Sequence, residues 1–277
     1  MLELSMTRLH EATVLLYALS VLLYFIDFLN NDRKANRIAF WLLAIVWLLQ
    51  TIFLFLYVRE TGRFPVLTIF EGLYFYAWLL ITLSLAVNRL LRVDFTVFFT
   101  NVLGFIVMAV HTFAPVQVES HALAERMVSE LLLIHITMAI LSYAAFSLSF
   151  VFSVLYLIQY DLLKRKKWGK RLTRLGDLSK LEKTSYILNV TGVPLLLLSL
   201  ILGLQWANIR LPHIPWSDPK IVGSFIVLTA YSIYLYCKVR KQVYGKSLAL
   251  WNLASFLIVL VNFLLFGSLS GFHFWYS

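Results

Sequence analysis

Long uncharged apolar runs alternate along this chain with short polar breaks. The runs cover approximately 9–29, 38–57, 66–88, 95–112, 131–158, 184–205, 220–238 and 249–270. Each approaches the roughly 20 apolar residues that a helix needs to cross a hydrocarbon core of about 30 Å. Their aromatic and β-branched residues lack the alternating dyad of a barrel strand, so helices are the means of satisfying the backbone in lipid. The pattern predicts an all-α, polytopic membrane protein with about eight transmembrane helices. Residues 1–277 read as a single membrane domain, with a basic loop over 159–183 and a tryptophan-containing external loop over 206–219.

Composition agrees with this reading: 61% of the 277 residues are hydrophobic and 14% charged, with a mean hydropathy of +0.81. The first run reads as a retained helix rather than a cleaved signal. Arg8 is offset by Glu3 and Glu11, and Arg33, Lys34 and Arg37 follow the apolar segment instead of preceding it.

Charge adds an orientation. Eighteen of the 24 Lys and Arg fall in the first, third, fifth and seventh connections, nine of them between Lys164 and Lys183. The opposite side holds Arg8, Arg59, Arg63, Arg126, Arg210 and Lys220. Short cytoplasmic loops retain basic residues, so both termini are expected outside a multi-pass protein of the cytoplasmic membrane. The net charge of +10 is then an orientation signal and not a nucleic-acid footprint. The 159–183 loop is long enough to dock a partner or to lie on anionic lipid. Cys237, the single cysteine, excludes an intrachain disulfide and a CxxC redox pair.

That orientation sorts the six histidines: His10, His111, His121, His135, His213 and His273 all fall on the outer side. An interfacial polar side chain is the ordinary reading of His10, His121 and His213. His111 and His135 lie inside apolar runs, where an ionisable group is costly unless it faces a cavity or a partner. Imidazole is the commonest nitrogen ligand of transition metals. His273, which follows Gly267 and Gly271 in "SLSGFHFWYS", is placed to supply a second imidazole to the same metal as His135. Two axial imidazoles suit haem, whereas zinc takes three or four protein ligands in a tetrahedron.

Trp206 and Trp216 offer flat apolar surface for a porphyrin, although an aromatic belt also explains both. Arg59, Arg63, Arg210 and Lys220 are candidates to pair with propionates. Glu71, about six residues into the third run, reads equally as a functional carboxylate and as the partner of an outer arginine.

The segments "FEGLYFYAW" (70–78), "LLLIHITMAILSYAAF" (131–146), "GLQWANIRLPHIPWSDPK" (203–220) and "SGFHFW" (270–275) together resemble the CcsA/ResC/CcmC branch of the cytochrome c assembly proteins. The resemblance implies a membrane protein that carries haem b between external histidines, beside a tryptophan-rich external segment. It aligns His135 and His273 with the two axial ligands, and Trp206, Trp216 and Asp218 with the pocket.

Two departures qualify it. The family segment resembles W-G-x-x-W-x-W-D followed by P-K-E, whereas here the central tryptophan pair is missing and Ile221 replaces the glutamate. Tyr236, in "YLYCKVR", takes the place of the inner histidine of haem ligases. The reduced form resembles the CcsA-like membrane proteins of Gram-positive haem-synthesis operons. That resemblance implies a non-enzymatic negative effector of glutamyl-tRNA reductase abundance, contacting the reductase or a protease adaptor at its cytoplasmic face. A haem transporter or ligase of cytochrome c assembly is the alternative, and a scaffold without ligand is a third reading.

Overall fold

A computed structural model describes residues 2–91, 93–113, 129–166, 169, 174–266 and 269–270. The described residues form α1 (Leu2–Asn30), α2 (Arg33–Thr61), α3 (Ile69–Leu91), α4 (Asp94–Phe113), α5 (Glu130–Lys164), α6 (Leu178–Arg210), α7 (Pro219–Val239) and α8 (Lys246–Val261). A five-residue π-helical turn, Asn262–Phe266, continues α8. Eight helices are long and apolar enough to cross a membrane, as the hydropathy pattern predicts.

The chain's ends of helices follow local chemistry. Asp32 caps α2 by accepting from the Lys34 amide at 2.8 Å, and Gly62 closes it in the left-handed region at φ 68°, a conformation that costs glycine little. Ser129 accepts from Leu132 N at 3.2 Å at the start of α5, and Asp177 caps α6.

Helices extend past the lipid-spanning lengths read from hydropathy. α5 continues to Lys164 and α6 begins at Leu178, so both ends of the 159–183 segment are helical. Trp206 lies inside α6 and Pro219 opens α7, which leaves 211–218 as the connection. Hydropathy marks the stretch that lipid demands, while Lys, Arg and Gln are good helix formers that carry the element onward.

The chain divides into two compact units, where the sequence reads as one membrane domain. The first comprises Met1–Pro65, Phe70–Ala114 and Lys166–Gly176, and the second Val66–Ile69, Pro115–Arg165 and Asp177–Ser277. In both, apolar side chains such as Leu15, Trp41, Phe55 and Leu257 face outward, while polar ones such as Gln50, Asn101, Asn189 and Asn252 are buried. This inversion of the water-soluble pattern follows from lipid being as apolar as leucine, so that helices associate through close packing and hydrogen bonds.

The first unit is centred on Tyr17, Tyr24, Leu43, Val46, Ile81 and Met108. Tyr17 donates to Asn101 Oδ1 at 3.0 Å, and Asn101 donates to Ser84 Oγ at 2.9 Å. Arg174 reaches Asp27 through two bonds of 2.7 and 2.6 Å, with both side chains buried. In the second unit, Asn252 of α8 donates toward Ser149 and Ser153 of α5 at 2.9 and 2.7 Å, and Asn189 of α6 donates to its carbonyl oxygen at 3.0 Å.

Candidate functional site

His135 stands in the second turn of α5, against α6. Its Nδ1 lies 2.6 Å from the carbonyl oxygen of Ser199. A carbonyl only accepts, so Nδ1 carries the hydrogen, and in the neutral ring the Nε2 lone pair is left over. The Ser199 hydroxyl, 3.1 Å from Nδ1, donates to the carbonyl of His135 itself at 3.0 Å, a second tie between the two helices. Nε2 has no hydrogen-bond partner among the described residues.

Gly203 completes the cradle. A Cβ there would stand 2.6 Å from His135 Cε1 and 2.8 Å from Nδ1, inside the closest approach of real side chains. Ser199, Gly203 and Trp206 are spaced by four and three residues, so they share one face of α6. That face is the one His135 packs against. Trp206 is 8% exposed, whereas Trp216 is 59% exposed, so of the two expected aromatic walls Trp206 is packed and Trp216 is open.

The "SDPK" sequence has a structural use as well. Asp218 is the N-cap of α7, with Pro219 at the first helical position and a bond of 2.9 Å from the Lys220 amide. The same carboxylate accepts from Ser270 Oγ at 2.9 and 2.7 Å. The Lys220 ammonium turns inward to the Asn262 carbonyl at 3.0 Å and lies 5.5 Å from the Phe263 ring. Asn262 in turn donates to Tyr143 Oη at 3.0 Å. Asp218, Lys220, Ser270 and Asn262 therefore join the start of α7 to the π turn that precedes Ser270. Arg210, at the last turn of α6, is exposed.

His273 and His121 lie outside the described residues, and His213 is exposed. In the first unit, Arg63 holds Glu71 with two bonds of 2.9 and 2.8 Å, and Tyr57 donates to it as well, so the pairing with an arginine is present. His111 stands beside His10, with ring centres 5.0 Å apart. Among the described residues, no group of three His, Cys, Asp or Glu side chains is arranged to hold a metal.

The sequence singles out His135 and the Trp-Asp segment as candidates, and the structure adds Ser199, Gly203, Asn262 and Tyr143 as their neighbours. The signal for the first two is a run of small residues along α6, namely Ser185, Gly192, Ser199 and Gly203. Gly192 meets the Phe146 ring and its carbonyl accepts from Ser142 at 2.9 Å. Small residues at such spacing let two membrane helices approach closely.

Eight apolar helices of spanning length, with one imidazole packed between two of them, define the class: a multi-pass protein of the cell membrane. A family model described as "Cytochrome C assembly protein" matches residues 66–273, and the chain belongs to that family. It is 61% identical over 277 residues to Protein HemX of Bacillus subtilis (strain 168), covering 100% of both chains. It is 44% identical over 268 residues to Protein HemX of Brevibacillus brevis, covering 97% of this chain and 98% of that one. Cytochrome c biogenesis protein CcsA of Chlamydomonas reinhardtii is 28% identical over 211 residues, 73% of this chain and 57% of that protein.

Proposed function

We propose that this chain is a non-enzymatic haem-binding membrane protein that lowers glutamyl-tRNA reductase abundance when haem is plentiful. The observation that carries the haem reading is the orientation of His135: Nδ1 is spent on Ser199, and Nε2 is the ligand atom left over. The residues fit the group. An imidazole with its tautomer fixed by a backbone carbonyl is the ordinary preparation of a metal ligand, and the Gly203 position admits no side chain beside it.

A bound haem would supply an iron open to nitrogen ligands. In this reading His135 and His273 would hold that iron. Trp206 lines the pocket, Trp216 closes on it from the connection, and Arg210 pairs with a propionate. Lys220 and Asp218 act by holding the π turn and Ser270 against the start of α7. At the cytoplasmic face, the reductase, a protease adaptor or anionic lipid meets the basic segment between α5 and α6.

Support for a regulator rests on the near-identical length of the HemX relatives and on the helix end at Tyr236. That side chain is exposed, with the Arg240 guanidinium 5.8 Å from its ring, and it offers no imidazole for capture of haem from inside. The family match favours a second reading, a haem transporter or ligase of cytochrome c assembly. A deletion strain separates the two: raised reductase with normal c-type cytochromes supports the regulator, and loss of c-type cytochromes with unchanged reductase supports the ligase.

A further inference from the structure

A pair of imidazoles, His10 and His111, lies within the first unit. His10 sits early in α1 and His111 in the last turn of α4. Their rings are 5.0 Å apart and tilted by 50°. Tyr74 of α3 lies 6.0 Å from His10 and 5.6 Å from His111, with Phe53 and Phe70 forming an apolar rim. His10 precedes the family match, which begins at residue 66.

Hydrogen bonding leaves donor atoms over in this cluster. Thr112 spends its hydroxyl hydrogen on Met108 O at 2.8 Å. At 3.2 Å from His10 Nε2 it therefore accepts, which puts the hydrogen on Nε2 and the lone pair on His10 Nδ1. His111 Nδ1 and Tyr74 Oη are both buried without a hydrogen-bond partner, and Tyr74 is 3% exposed. Buried polar atoms are almost always satisfied, so two orphans beside a third unspent nitrogen need an occupant.

The spacing says which kind. A metal about 2.0 Å from an imidazole nitrogen lies about 3.2 Å from the ring centre, so two rings at a tetrahedral angle stand about 5.2 Å apart, and two axial rings about 6.4 Å apart. The observed 5.0 Å lets both rings reach one ion and is shorter than two axial rings on one iron require; ordinary packing of two rings falls in the same range, so the unsatisfied Nδ1 of His111 and Oη of Tyr74 carry the argument. We propose that His10, His111 and Tyr74 form a binding site for a tetrahedral first-row transition-metal ion of the zinc class, distinct from any haem held by His135. The two imidazoles are the nitrogen donors. Tyr74 Oη is the third protein donor, releasing its proton to solvent as it binds, and a water completes the shell.

The test is a titration of the purified full-length protein with Co(II) and Zn(II). Wild-type protein is expected to bind one ion and to give the intense d–d absorption of tetrahedral Co(II), discharged by zinc. His10→Gln and His111→Gln should each lose at least about tenfold in affinity, Tyr74→Phe should lose less, and His135→Ala should bind as the wild type does. X-ray absorption of the zinc-loaded wild type, which needs no variant to fold, should show two imidazoles in the first shell. Absence of the tetrahedral spectrum, or equal affinity in His111→Gln, overturns the proposal and leaves water as the occupant. Loss of binding in His135→Ala overturns it as well, by assigning the metal to the other unit.

Discussion

At the scale of single residues, the imidazole of His135 is readable from sequence because an ionisable group within an apolar run demands a reason. Its support is not readable, because Ser199 is 64 residues away and looks like any other small residue of a membrane helix. The geometry makes that support testable. Gly203→Ala places a methyl group 2.6 Å from the ring, so the ring must rotate off its hydrogen bond. Haem affinity should fall by about tenfold to a hundredfold, the usual cost of disturbing a ligand's outer partner, as read by haem titration. Ser199→Ala keeps the backbone acceptor at 2.6 Å and should cost less than Gly203→Ala. Glu71 shows the opposite case: the sequence left it between two roles, and the bidentate Arg63 contact supplies one of them, the arginine pairing.

At the scale of elements, a cap is a local signal and a long-range pair is not. "WSDPK" contains an acid before a proline, which is the signature of a helix start, and Asp218 caps α7 accordingly. Asp218→Ala removes the cap and both bonds from Ser270. A loss of about 1 kcal/mol is expected from the cap alone, measured by thermal unfolding in detergent. Arg174 reads from sequence as one more basic loop residue, yet its guanidinium is buried against Asp27 and stands 4.7 Å over the Phe95 ring. Pattern alone could not find this, because a salt bridge across 147 positions leaves no periodic trace. Arg174→Ala strands the Asp27 carboxylate and should destabilise the protein by about 3 kcal/mol, whereas Lys166→Ala, on an exposed residue, should be near neutral.

At the scale of the whole molecule, eight spans were legible because lipid imposes a length and an apolar composition on each helix. The extra turns of α5 and α6 were not, since nothing in hydropathy marks where a helix ends once it has left the membrane. The basic connections predict an orientation, and Cys237 makes it measurable because the chain carries one cysteine. A membrane-impermeant maleimide should label Cys237 in inverted vesicles and leave intact cells unlabelled; labelling of intact cells reverses the topology. The central claim, that a fixed imidazole on α5 holds haem, is tested most directly by the absorption spectrum of the full-length protein purified after haem supply. The account predicts a Soret band of six-coordinate haem in the wild type that is lost or shifted in His135→Ala. A wild type without a Soret band, or a band unchanged in His135→Ala, contradicts it.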